Sequence, residues 1–301
     1  MKKLCAAVCG ATILLVGEGA TAAAPAAAPA APGASTPPAS TPAASTPAET
    51  AMLLKSAVAE KDAIIWYVGH HSYAIKTHSH LLIFDYYPMN DPSPNASVVN
   101  GAINPAEFRD MNVVVFVSHR DGDHYDKVIW EWKKTIPRIT YVLGWEPAMP
   151  TEKYTHIQPW ETGRVGDIEV TTLPSTDSGE SYLIRVDGLV FYHSGDNAMW
   201  MPSYRPRYTK QIDWLAAKTG YVDFMFINWR LGNDGPQLTE GMWYAADKLG
   251  ARYIFPSHMG TNDAQVKDLI AMAPSDEVRA RIVDKEVRGQ RFIYQGGRMQ
   301  W

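Results

Sequence analysis

Along residues 63–294 short apolar runs alternate with polar breaks, and the period of each run predicts an element. Ala63–Val68, Tyr73–Thr77 and Leu81–Tyr86 are brief and rich in β-branched and aromatic residues, which predicts strands. Val113–Val117 is apolar throughout, as a strand covered on both faces must be. A polar cluster ends it, and Val128, Ile129 and Trp132 then recur at helical spacing, predicting a helix over Tyr125–Thr135. Further strands are predicted at Ile139–Leu143, Ile168–Leu173, Tyr182–Val186, Leu189–His193, Phe224–Ile227, Tyr253–Pro256 and Arg291–Tyr294. Helices are predicted at Gln211–Lys218, Thr239–Leu249 and Ala264–Met272. Strands lead and helices alternate with strands later, so the pattern predicts one α/β domain with a mixed sheet over residues 51–301.

Ahead of this body the pattern changes twice. Lys2 and Lys3 precede the apolar run Leu4–Val16, and Ala20-Thr21-Ala22 has the small-residue spacing of a cleavage site. Residues 1–22 are therefore expected to be a signal peptide, and the protein periplasmic or secreted. Cys5 and Cys9 both fall within it, which leaves the body without a disulfide or a cysteine ligand. Residues 23–50 hold 26 Ala, Pro, Ser or Thr among 28 positions, seven of them proline. Such a stretch cannot bury enough apolar surface to fold, so it is expected to be a disordered linker: a plain spacer, or a tether close to cell-wall polymer.

Composition narrows the partners. With a formal charge of −4 and no basic block, the chain is not expected to bind nucleic acid. No transmembrane segment is expected in the body. A small-molecule substrate is the remaining expectation.

The chemistry concentrates in Ser118-His119-Arg120-Asp121-Gly122-Asp123-His124, where a buried strand gives way to a helix. Four ligand-type side chains within six residues exceed what helix capping needs and suit one or two divalent cations.

In order along the chain, several segments resemble the metallo-β-lactamase superfamily. His119-x-Asp121-x-Asp123-His124 is similar to its H-x-H-x-D-H signature, with Asp121 in place of the second histidine. Val68-Gly69-His70-His71-Ser72-Tyr73 and Leu82-Ile83-Phe84-Asp85 are similar to the opening strands of the branch containing L-ascorbate-6-phosphate lactonase. Ser175-Thr176-Asp177-Ser178-Gly179, Tyr192-His193-Ser194-Gly195-Asp196 and Pro256-Ser257-His258 resemble the later ligand segments. The resemblance implies a four-layer αββα sandwich with two divalent ions at the edge between the sheets. One site would take His119, Asp121, Asp177 and a bridging Asp196; the other Asp123, His124, His258 and Asp196. Zinc is the first expectation, with manganese or iron at the oxygen-rich site. Four carboxylates against two divalent ions would make a neutral cluster.

On this reading the chain is an exported hydrolase of an ester, lactone, amide or phosphodiester bond. A water shared by the ions is the nucleophile, and Asp123 orients it and passes a proton. His70 and His71 sit where the resembling branch approaches its cleft. His193 would either orient a ligand carboxylate or be an ordinary buried histidine. Arg230, in Asn228-Trp229-Arg230-Leu231-Gly232, would either grip an anionic substrate group or pin its loop. Two alternatives remain: a di-iron redox protein of the same fold, and a binding module whose metal site has degraded.

Overall fold

The computed structural model describes residues 47–89, 96–147 and 151–300. The expected signal peptide, and the expected linker up to residue 46, lie outside them. The first helix, α1 (Pro47–Lys55), begins inside the last four residues of that expected linker. Its C-terminal end is fixed by Lys76, whose buried ammonium donates to Leu53 O, Leu54 O and Ser56 O at 2.9, 2.7 and 2.5 Å. A cation there also complements the negative end of the helix dipole.

Two sheets face each other. The first contains β1 (Ala63–Gly69), β2 (Ser72–Lys76), β3 (Leu81–Phe84), β4 (Val113–Val117), β5 (Ile139–Leu143), β12 (Arg291–Gln295) and β13 (Arg298–Gln300), in the order β13-β12-β1-β2-β3-β4-β5. The second contains β6 (Thr162–Val165), β7 (Ile168–Pro174), β8 (Glu180–Val186), β9 (Leu189–His193), β10 (Val222–Asn228) and β11 (Ala251–Ser257), in the order β11-β10-β9-β8-β7-β6. Each sheet carries a parallel triplet: β3, β4 and β5 in one, β9, β10 and β11 in the other. The expected mixed sheet is thus two mixed sheets.

Alternating residues of the facing strands, among them Tyr67, Tyr73, Phe84, Phe116, Phe226 and Phe255, fill the space between the sheets. On the outer face of the second sheet lie α2 (Arg205–Thr219) and α3 (Gly235–Lys248), buried through Ile212, Leu215, Met242 and Ala245. On the outer face of the first lie α1 and short 3₁₀ segments, packed through Leu54, Phe108, Ile129 and Trp132. The result is the four-layer αββα sandwich, with one outer layer of full helices and one built mostly of tight turns.

That second outer layer corrects one expectation. The helix predicted over Tyr125–Thr135 is a 3₁₀ stretch, Lys127–Lys134, opened by Asp126, whose carboxylate accepts from Val128 N–H. Ile129 and Trp132 still face inward, because three-residue turns align i with i+3. The helix predicted at Ala264–Met272 is shorter as an α-helix, α4 (Val266–Ala271), after a 3₁₀ turn; a short α5 (Asp276–Arg279) follows it. Helix α2 starts six residues earlier than predicted, with Pro206 in its first turn, where its missing N–H costs nothing. Among the described residues no helix is long and apolar enough to cross a membrane.

Candidate metal centre

The carboxyl ends of the parallel strands meet at one edge of the sandwich, and the loops leaving them bear the polar side chains. In open α/β sheets this is where ligands bind. The turn after β1 carries His70 and His71, that after β3 Asp85, and that after β4 His119 to His124. From the second sheet, Asp196 follows β9 and His258 follows β11. Three of these residues have left-handed backbone: His70 at φ 53°, Asp85 at 41° and His258 at 66°. Such conformations cost non-glycine residues free energy and persist only where surrounding structure enforces them. Two glycines supply the room. A Cβ at Gly179 would lie 2.0 Å from Ser118 O, and one at Gly195 would lie 2.5 Å from Ser118 Cβ.

Asp196 is the centre of the cluster and is buried. Its Oδ2 lies 3.4 Å from His119 Nε2, and its Oδ1 lies 3.3 Å from both His124 Nε2 and His258 Nε2. Asp123 adjoins on the solvent side, its Oδ2 3.9 Å from His258 Nε2 and 3.3 Å from His70 Nε2. Two groups are spaced as cation ligands would be: His119 with His124 and Asp196, and Asp123 with His124, His258 and His70.

Hydrogen bonds behind the cluster determine which ring nitrogens face it. Asp85 is buried and accepts from Ser118 N, Ser118 Oγ and His124 Nδ1 at 2.7, 2.7 and 2.8 Å. Because the Ser118 hydroxyl donates to Asp85, it must accept from His119 Nδ1, 2.9 Å away. Both rings therefore carry hydrogen on Nδ1 and turn Nε2 toward Asp196. Neither Nε2 has a hydrogen-bond partner, nor has Asp196 Oδ1. His70 is the opposite case. Its Nδ1 accepts from Gly260 N–H at 3.1 Å, and burial pushes its pKa down, so the neutral ring holds hydrogen on Nε2, aimed at Asp123. This makes His70 an orienter of Asp123 more than a ligand.

His71 and His193 lock the loop that presents Asp196. Their rings pack tilted at 4.3 Å; His71 Nε2–H donates to Gly195 O at 2.9 Å, and His193 Nε2–H donates to His71 O at 3.0 Å. Asn228, at the end of β10, adds a second donor to Gly195 O at 2.6 Å. Burial holds the pKa of both histidines down, so neither contributes a charge.

Burial also opposes charge on Asp196 and His124, yet their mutual attraction prevails. Asp196 stays well below the usual carboxylate range, and His124, facing Asp196 and Asp85, is pushed up to about 9. The His70 ring 3.3 Å away, working against burial, keeps Asp123 ionised far into acid. The cluster thus needs a positive charge at its middle, which a proton on His124 or a cation can provide. Bare imidazole nitrogens converging on a buried carboxylate are the donor set a divalent cation takes.

Two expected ligands are not drawn in. Asp177 is exposed, in a turn where its N–H donates to Ser175 Oγ, and among the described contacts none joins its carboxylate to the cluster. Asp121 lies at the rim, 3.8 Å from His119 Nε2 and 59% exposed, accepting from Ser178 Oγ at 3.5 Å. The oxygen-rich site of His119 with three carboxylates is therefore not assembled as expected; imidazole dominates both groups. Asp85, Asn228 and the orienting role of Ser118 were not singled out from the sequence. The signal available was an apolar strand ending abruptly in an acid, Leu81-Leu82-Ile83-Phe84-Asp85.

No protein-family profile matches the chain. It is 22% identical over 214 residues, 65% of this chain and 84% of the relative, to a UPF0173 metal-dependent hydrolase of Pyrococcus furiosus. Among solved structures it is similar to Igni18, a metallo hydrolase of Ignicoccus hospitalis, with TM-score 0.53 and 12% identity over 78% of this chain and 99% of that one. It is also similar to CmlA, a diiron β-hydroxylase of Streptomyces venezuelae, with TM-score 0.50 and 16% identity over 66% of this chain. The chain spans about half of CmlA, 45% of its length. The shared architecture is the four-layer αββα sandwich.

Proposed function

We propose that the chain is a dinuclear metal-dependent hydrolase acting on an ester, lactone, amide or phosphodiester bond of a small molecule. The observation that carries this reading is the convergence of His119 Nε2, His124 Nε2 and Asp196 Oδ1, buried and without hydrogen-bond partners. The similarity to proteins named metal-dependent or metallo hydrolases supports it. His119 and Asp196 would hold one ion at the rim beside Asp121; Asp123, His124 and His258, with Asp196 between the two sets, would hold the other. Zinc suits the imidazole-rich donors, and manganese or iron remains open where Asp121 joins. Bound there, divalent ions supply Lewis acidity and a water that is acidic near neutral pH.

The chain's own residues supply the rest. Asp85, through Ser118 and His124 Nδ1, fixes the two tautomers that leave Nε2 bare. Asp123, half-exposed and held ionised by His70, is placed to take a proton from an attacking water and return it to the leaving group. The Gly69-His70-His71 turn, with His70 behind Asp123, supports the lactonase-like branch. The leader and linker expected from the sequence support export, and a position near the cell wall, for the full chain.

Metal content of the purified protein, before and after chelation, combined with a broad hydrolase screen on readdition of zinc, manganese or iron, tests this reading. Metal-restored turnover is expected; indifference to chelator ends it. CmlA motivates a second reading, a di-iron redox protein, which would require two irons per chain and visible absorption.

A further inference from the structure

At the mouth of the cluster three groups follow one another: His258, Trp200, edge-on to it, and Arg230. The Trp200 ring lies 5.3 Å from the His258 ring, and the Arg230 guanidinium carbon lies 5.4 Å from the Trp200 ring. Trp200 is held in place by its indole N–H, which donates to Asp196 O at 3.0 Å. Arg230 is held along one edge, Nε and Nη2 donating to Asp234 Oδ2 at 3.1 and 2.5 Å. Among the described contacts Nη1 has no partner, and the side chain is 41% exposed. Its loop is tied to the one bearing His258: Leu231 N–H donates to Gln265 Oε1 at 2.6 Å, and Gln265 Nε2 donates to Met259 O. An ordinary surface ion pair requires none of this support. Met201 and Leu231, next in sequence to Trp200 and Arg230, stay 47% and 49% exposed.

We propose that Trp200 and Arg230 form a recognition arm for a substrate with an anionic group, carboxylate or phosphate, beyond the bond to be cleaved. Asp234 orients the guanidinium and leaves its outer edge open to a planar or tetrahedral oxyanion. Trp200 provides an apolar face for the intervening part of the substrate, and the steps of 5.3 and 5.4 Å set the greatest reach between the ends. Which bond is cleaved rests on the hydrolase reading; the anion grip does not require turnover.

Calorimetric titration of the zinc-loaded full chain with octanedioate, 8-phosphonooctanoate and octanoate tests the arm. All three can place one carboxylate at the cluster, and the first two carry a second anion. Wild type is expected to prefer at least one dianion to octanoate by about tenfold or more, the size of a charge-assisted hydrogen bond. Which dianion is preferred identifies the group. Arg230→Gln should abolish the preference and Arg230→Lys keep part of it, while Trp200→Ala should weaken all three acids alike. A dianion preference equal in wild type and Arg230→Gln, or absent from wild type, overturns the proposal. Absence of metal-dependent turnover of esters of these acids would count against the hydrolase reading alone.

Discussion

Two buried charged clusters lie close together, and one is closed where the other is open. Lys285 is fully buried, yet its ammonium meets Asp263 Oδ1 at 2.6 Å and the Tyr67 ring at 3.9 Å, while Tyr67 OH donates to the same Asp263 oxygen at 2.6 Å. Burial lowers the lysine pKa and Asp263 counters it; nothing further is needed. At the sheet edge, by contrast, the Nε2 atoms of His70, His119 and His124 and one Asp196 oxygen have no hydrogen-bond partner. Both clusters bear the cost of desolvation, but only the second is incomplete without a ligand. The first also serves the second: Tyr67 lies three residues before His70, and Asp263 five after His258, so the closed triad fixes the approach of both segments.

The difference can be broken experimentally, beginning with the closed cluster. Lys285→Met strands Asp263 and should cost about 3 to 5 kcal/mol in denaturant unfolding. A loss below 1 kcal/mol would mean the triad is not closed. Asp196→Asn should do the reverse. Turnover is expected to drop roughly a thousandfold with loss of bound metal, while the chelated protein stays as stable as wild type or becomes more so. Parallel metal analysis and melting of chelated samples check both halves.

Glu180 is an intermediate case, since His156 donates to its Oε1 at 2.8 Å while its buried Oε2 has no partner. Burial, opposed by His156, pushes its pKa up to about 7. The folded state therefore holds this proton more tightly than the unfolded chain, where glutamate titrates near 4.3. Its contribution is complete below that value and is lost as pH rises to about 7, up to about 3 kcal/mol. Melting curves from pH 4 to 8 should show this slope in wild type and not in Glu180→Gln. The smallest effect concerns Asp85→Asn, which leaves the ligands in place but disturbs their tautomers. A tenfold to hundredfold loss of metal affinity is expected by competition with a chromogenic chelator.

How far the sequence foretold these regions depends on the range of the interactions. The strands were legible because alternation and apolar runs are local, and Val113–Val117 emerged with the predicted bounds. The stretch after Asp126 was misjudged in type because three-residue and four-residue turns bury nearly the same positions. At the edge, His119, Asp123, His124, Asp196 and His258 converge, all named from the order of motifs. Asp177 does not, since whether a turn residue faces inward depends on Gly179 packing against Ser118 and on Ser175 closing the turn, which no spacing rule reports. Asp85, quoted only as the end of a strand segment, had no role assigned because a single acid after a strand looks like a turn residue until its partners are seen.

Strand β12 has a bearing on how the molecule assembles. Arg291–Gln295 pairs with Ala63–Gly69, so one flank of an early strand waits for residues made more than 200 positions later. Pairing across such a separation is slow, because the intervening loop must close before any contact rewards it. During that delay the flank of β1 is an open template, and a second copy whose β12 is made but not yet docked can offer the same strand. Exchange of this terminal hairpin between copies is the misassembly to expect when expression outpaces completion.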